Sequence, residues 1–241
     1  MQDSKFIPAI VIALALIISA TVFGSFYYSA QSVTTTDTLS VTGSTKVKVT
    51  SDKAKLVISL SRIALASTLA TGYGEIAADL TATRDLLTKE KVDAATITEN
   101  PVVVNRMYDY QNNGGELKYE LTQSVILQAD DVNQITAISK KIPSLAASGA
   151  IVSVQSLEYY YSKLPDLRVS LLTDAVKDAA SRAAKIAEGT GRKIGNVQSA
   201  SSGVVQVLPP NSIEVSDYGS YDTSSIEKEV MVTVKASFRL L

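Results

Sequence analysis

The chain of 241 residues contains no cysteine, no histidine and no tryptophan. Without cysteine there can be no disulfide and no thiolate metal site, so the fold must stand on its core, which a chain of this length can bury without staples. A cysteine-free chain also fits an oxidising compartment. Without imidazole or thiol there can be no Ser-His-Asp triad, no Cys-His pair and no zinc site built on His or Cys ligands. That excludes most of the common hydrolase chemistry, and the expectation is of no cofactor and no enzyme activity. A dominant charge sign is missing too: 23 Lys and Arg stand against 24 Asp and Glu, a net charge of −1. No basic field exists to gather nucleic acid, which is not an expected partner.

What is present first is a long apolar run. Phe6 to Phe26 reads FIPAIVIALALIISATVFGSF, uncharged and close to the roughly 20 residues that cross a bilayer as a helix. Phe6, Ile10, Leu14, Ile18, Phe23 and Tyr27 represent this expected anchor, residues 1–28. Pro8 falls in the first turn, where its missing N–H has no intrahelical partner to lose. Phe26, Tyr27 and Tyr28 sit where an interfacial belt is expected. The competing reading is a cleaved signal, but cleavage after Ala30 would put Tyr28 at the minus-three position, where a small residue is wanted. Either way the body is exported. A very short N-terminal tail before a long polar body favours an N-in orientation, with the body in the periplasm or extracellular space.

Residues 29–38 read as a polar tether, and 39–241 as one folded domain. Leu39, Val41, Thr45, Val47 and Val49 alternate as in a half-buried strand; after a turn at Ser51-Asp52-Lys53, Leu56, Ile58 and Leu60 continue a second, so the two are expected to form a hairpin. Leu69, Tyr73, Ile76, Leu80, Thr83 and Leu87 form one helical stripe, weakened early by Gly72 and Gly74. Ile97 to Tyr110 and Leu117 to Gln128 flank Asn112-Asn113-Gly114-Gly115 and predict a hairpin. Asp130 is expected to cap a helix through Val132, Ile135, Ile138, Ile142 and Leu145, with its last turns disturbed by Pro143 and closed at Gly149. A strand from Ile151 to about Ser162 precedes the clearest helix, with Pro165 at its start and Ala175, Ala179, Ala183 and Ala187 on one face. A strand over Asn196 to Val207 leads to an exposed loop, 208–225. The final strand places Val230, Val232, Val234, Ala236, Phe238 and Leu240 on one side. Hairpins mixed with helices predict an α+β fold: a mixed, largely antiparallel sheet with helices packed on one side, preceded by one transmembrane helix.

Leu39 to Ala54, LSVTGSTKVKVTSDKA, resembles the opening of SIMPL-domain proteins, a family once labelled a domain of unknown function that includes periplasmic YggE-like proteins and a Brucella outer-membrane immunogen. Gly43, Asp52 and Ala54 match its pattern, while Ser51 stands where the family usually has Pro. Leu171 to Val197 is similar to its long Ala-rich helix and Gly-containing turn, and Gly149-Ala150 and the closing EKEVMVTVKASFRL strand fall in the expected order. The resemblance implies an extracytoplasmic protein linked with envelope stress tolerance, with ring or tube assembly in at least one member. It carries no catalytic residues.

Chemical readings of single motifs give way to simpler ones. Asp130-Asp131 at a helix start is explained by capping and the helix dipole. Glu227 and Glu229, beside Lys228, read as keeping a strand edge soluble. Gly189, Gly191 and Gly195 end a helix and so are no phosphate loop. Tyr159, Tyr160 and Tyr161 read as packing residues, with a stacking surface as the alternative. Three hypotheses follow: a structural protein that assembles with itself through strand edges and the Val207 to Ser225 loop, a binding module for envelope proteins or polymers, and an enzyme of unrecognised type. The candidate interaction surface is Tyr159, Tyr161, Glu214, Asp217, Tyr218 and Tyr221. On the binding-module hypothesis, deleting Asn211 to Ser224 removes partner capture and leaves the fold intact.

Overall fold

The computed structural model describes residues 7–32, 37–108, 115–212, 216 and 218–241, with side chains at 7–10 and 29–32 excepted. In chain order the elements are α1 (Ile7–Ser32), β1 (Thr38–Thr50), β2 (Lys53–Leu65), α2 (Leu69–Lys89), β3 (Ile97–Glu99), β4 (Val103–Met107), β5 (Lys118–Ala129), α3 (Val132–Lys141), β6 (Val152–Tyr160), α4 (Leu164–Gly189), β7 (Ile194–Leu208), β8 (Ser220–Tyr221) and β9 (Glu227–Leu240). This is the expected mixed α/β composition with largely antiparallel pairing, but the strands divide into two sheets. One has the order β1-β9-β7-β8; the other runs β3-β5-β2-β6, with β4 also on β5.

That division overturns the expected hairpin of β1 and β2. Both edges of β2 are taken, by β5 over Ala54–Leu65 and by β6 over Lys53–Leu60, so no ladder is left for β1, which pairs with β9. The turn between them is held elsewhere. Ser51 N donates to Ile226 O at 2.9 Å, and the Asp52 carboxylate accepts from Ser162 N and Oγ at 2.7 and 2.6 Å.

The chain forms two compact units. One comprises Met1–Gly43, Val176–Ser202 and Val234–Leu241; the other, Ser44–Ala175 and Gly203–Thr233. In the larger, Ala54, Leu56, Ile58 and Leu60 of β2 are fully buried with Leu121, Val125 and Leu127 of β5, beneath Ile76 and Leu87 of α2 and Ile135 and Ile138 of α3. Helix α2 buries Gly72 in place of the expected Tyr73, which is exposed. A Cβ at Gly72 would lie 2.8 Å from Ala64 Cβ and 3.3 Å from Leu121 Cδ1, so the close helix–sheet approach requires glycine there. Asp79 on the same face is buried and bound by Arg62 of β2 through two 2.7 Å hydrogen bonds, and Arg62 also donates to Gly149 O at 2.8 Å. The guanidinium fork thus ties β2, α2 and the end of the Ile142–Ser148 3₁₀ helix together.

The hairpin of β4 and β5 forms in register Val103↔Thr122 to Met107↔Lys118, with the Asn112–Gly114 turn residues outside the described ones. The expected long strand before it is broken into β3 and β4 by Asn100-Pro101-Val102; proline has no N–H for a ladder. Asp131, not Asp130, caps α3, accepting from Gln134 N at 2.8 Å, while Asp130 pairs with Lys53 at 2.5 Å. As expected, α3 gives way to a 3₁₀ turn at Pro143 and Gly149 closes it in the left-handed region, φ 81°.

In the smaller unit, Ala179 and Ala183 of α4 pack on Val41, Ala236 and Phe238. Short side chains at four-residue spacing let the helix lie close to the strands. Here α1 is a helix whose 18-residue window Val11–Tyr28 is apolar enough to cross a membrane and has none of its residues buried. Leu14, Ile18, Phe23 and Tyr27 are exposed along it; Phe6 and the Ile10 side chain lie outside the described residues. The helix continues to Ser32, so the first part of the expected tether is helical.

Candidate functional site

The segment between β7 and β9 is where the sequence placed an exposed loop, and within the larger unit it is stitched down closely. β8 pairs in parallel with β7, Gln206↔Ser220 and Val207↔Tyr221, and Asp222 N donates to Val207 O at 2.8 Å. Gly219, at φ 86°, turns the chain into β8 in a conformation that side-chain-bearing residues avoid. Asp222 then folds the chain back on itself. Its carboxylate accepts from Ser224 N at 3.0 Å, Ser224 Oγ at 2.7 Å, Ser225 N at 3.2 Å and the Ser225 hydroxyl.

Beneath this turn lies Lys228, 0% exposed. Its ammonium donates to Asp222 O and Ser225 O at 2.6 Å each and reaches Asp222 Oδ2 at 3.5 Å. Three acceptors engage its three hydrogens, so this amine is a structural clasp and not an available nucleophile. Burial pushes its pKa down against the opposing attraction of Asp222. For Asp222, burial raises the pKa, but the Ser225 and Ser224 hydrogen bonds and the Lys228 charge outweigh it and hold the carboxyl well below its usual range. Strand period places Lys228 on the same side as Val230, Val232 and Val234, all buried, which is why the residue goes inward. The expectation that Glu227 and Glu229 guard an edge is not met: β9 is an interior strand, Glu229 is buried in an ion pair with Lys46, and only Glu227 is exposed.

The predicted surface residues separate. Tyr159 is buried, its hydroxyl 2.9 Å from Thr136 Oγ1. Tyr161 is half-buried, and its backbone N–H donates to the Tyr221 hydroxyl at 3.1 Å. The Tyr160 and Tyr221 rings lie 6.0 Å apart at 33°, and the Lys228 ammonium is 5.9 Å from the centre of the Tyr221 ring. Hydrogen bonding to Glu158, then burial, pushes the Tyr160 phenol up to about 12. Tyr218 is 97% exposed. Glu214 and Asp217 lie outside the described residues.

Tyr218 and Tyr221 line a groove of about 550 Å³ together with Leu164 and Arg168 of α4 and Gly203 to Val205 of β7. Sequence reasoning missed Arg168. It lies one turn past Leu164 on a helix whose alanine face drew the attention. Among the described residues nothing pairs with its guanidinium. A groove lined by a cation and two tyrosines suits recognition of a polar or anionic group.

Fold and site together define a mixed α/β body that carries an N-terminal apolar helix, of the kind found in membrane anchors and signal sequences. The SIMPL family, described as a protein of unknown function (DUF541), matches residues 39–238, and the chain belongs to it. No curated protein matches the chain. Among solved structures it is similar to a hydantoinase/carbamoylase family amidase from Burkholderia ambifaria, at 16% identity and a TM-score of 0.26, over 47% of this chain and 29% of that one. The chain therefore spans less than a third of that enzyme, and so slight a likeness carries no argument about activity.

Proposed function

We propose that the chain is a non-enzymatic, membrane-tethered SIMPL protein, oriented N-in, whose exported body assembles with copies of itself into a ring or tube with a structural, envelope-protecting role. The observation that carries the reading is α1: an uncharged 18-residue window with every side chain open to its surroundings needs a lipid phase to cover it. A short tail before it and a long polar body after it favour export of the body. Surfaces and not reactive groups then do the work, in keeping with a chain that lacks imidazole and thiol and closes Lys228 away. Light scattering of the full chain in mild detergent tests the assembly; a multiple of the single-chain mass is expected, and a monomer at micromolar concentration refutes it.

A second reading, a binding module for envelope proteins or polymers, is favoured by the groove between Arg168 and Tyr218. Deleting Asn211 to Ser224 cannot test it, because Asp222 and Tyr221 hold the larger unit together. Arg168→Ala and Tyr218→Ala are the usable variants: both side chains are exposed, so capture should fall with the fold intact.

A further inference from the structure

The groove lined by Tyr218, Tyr221 and Arg168 lies wholly within the larger unit, and its tyrosines are set in place by the fold itself. Tyr218 sits in a turn whose backbone is pinned. Its N–H donates to Ser216 Oγ at 3.3 Å, Gly219 N donates to Ser216 O at 3.1 Å, and the Gln206 side-chain amide donates to the same carbonyl. Gly219 lets the turn press on β7, since a Cβ there would stand 3.2 Å from Val205 O. The backbone is thus held while the phenol ring stays almost wholly open to solvent, a large aromatic surface that packing does not use. Tyr221 is fixed from three sides: its hydroxyl accepts from Tyr161 N, and its ring lies 6.0 Å from that of Tyr160 and 5.9 Å from the Lys228 ammonium. The same hydroxyl keeps its own hydrogen to donate.

Charge and hydrogen-bonding capacity add to the ring faces. The exposed Arg168 guanidinium and the exposed Ser220 hydroxyl have no partner among the described residues. Asp222, next to Tyr221, is committed to Ser224, Ser225 and Lys228. Asp166 lies about 200° around α4 from Arg168, and helical residues two apart do not face each other. The groove therefore carries an uncompensated positive charge. A planar guanidinium takes a carboxylate through two parallel hydrogen bonds.

We infer that the groove binds a sugar acid, with its carboxylate on Arg168, its hydroxyls on Ser220 and Tyr221, and the C–H face of its ring on a tyrosine. A uronic-acid unit offers all three complements on one ring, whereas an acidic peptide side chain offers only the first. A volume of about 550 Å³ falls in the range of small-ligand sites, so the groove takes a short run of an acidic polysaccharide and not a folded partner. This inference rests on the binding-module reading and names the class of polymer that reading requires.

Saturation-transfer NMR on the full chain in mild detergent tests it, with trigalacturonate, uncharged maltotriose and triglutamate as probes. Wild type should bind trigalacturonate about tenfold or more tightly than either of the others, because each lacks the charged pair or the ring contact. Arg168→Ala should weaken that binding about tenfold or more, and Arg168→Lys should not restore it, since an ammonium lacks the fork. Tyr218→Phe should bind as wild type does and Tyr218→Ala should not. Far-UV circular dichroism should be unchanged in every variant, because both side chains are exposed. Tighter binding of triglutamate or maltotriose, lost in Arg168→Ala and Tyr218→Ala, overturns the sugar-acid assignment while the groove stands as a binding site. Trigalacturonate binding that both alanine variants retain overturns the groove as its site. Binding of none of the three, with partner capture still falling in Arg168→Ala, overturns the ligand class alone; binding of none with capture unchanged overturns the binding-module reading as well.

Discussion

Removing both halves of the Lys228–Asp222 clasp should cost less than the sum of removing each half alone. In Asp222→Ala the ammonium stays buried with two neutral carbonyls at 2.6 Å, and four hydrogen bonds that fold Ser224 and Ser225 against the carboxylate are lost. Leaving a buried charge unpaired costs about 3–5 kcal/mol. The retained carbonyls and the 3.5 Å carboxylate distance place Asp222→Ala near the lower end, about 3 kcal/mol. Lys228→Met keeps the apolar stem and removes the charge, at a cost of about 1–2 kcal/mol for the carbonyls left without a donor. Once the ammonium is gone, Asp222→Ala removes only the carboxylate's hydrogen bonds to Ser224 and Ser225 and leaves no buried cation unpaired, so the double variant should fall short of the sum by about 1–2 kcal/mol. Urea unfolding of the full chain in micelles, followed by far-UV circular dichroism since there is no tryptophan, reads all four forms. The Asp222 contribution is present above the ordinary carboxylate range and is lost as pH falls through the lowered folded value. Additive costs, or an Asp222→Ala penalty below about 1 kcal/mol, would refute the clasp.

Two glycines two residues apart in α2 should respond oppositely. Gly72→Ala, which forces a Cβ to within 2.8 Å of Ala64 Cβ, should destabilise by about 1–3 kcal/mol in the same unfolding assay, whereas Gly74→Ala, with nothing within 4 Å, should stabilise by about 0.5–1 kcal/mol through helix propensity. Tyr160 should ionise late: the ultraviolet difference titration between wild type and Tyr160→Phe should place its midpoint near pH 12, and Glu158→Gln should bring it down. Because the folded value lies above the unfolded one near 10, stability tied to neutral Tyr160 is complete below about pH 10 and lost as pH rises through about 12.

Much of the fold was legible as period and punctuation. The two-residue alternation of β9, the four-residue alanine spacing of α4, and the Pro143 and Gly149 stop after α3 each report which side of an element is buried or where it ends. Pairing was legible for the β4–β5 hairpin, whose strands flank one turn, but not between distant segments. Alternation in β1 and β2 says which face points inward but not which edge meets which strand, and the neighbours that claim β2 lie far along the chain. Gly72 displaced Tyr73 from the buried stripe for a related reason: close approach, not hydrophobicity, decides that position. Lys228 could have been found, since its parity with Val230 and Val232 assigns it to the buried side and the Asp-Thr-Ser-Ser turn supplies its acceptors. Arg168 carried no signal of its own, because the groove it faces is assembled from distant segments.

The account turns most directly on which side of a membrane the body lies. Tyr218→Cys puts a lone thiol on a 97% exposed position of the body, and Lys5→Cys puts one ahead of the apolar helix. A membrane-impermeant maleimide applied to spheroplasts should label Tyr218→Cys at once and Lys5→Cys only after lysis. Protection of Tyr218→Cys until lysis would place the body in the cytosol and contradict the account.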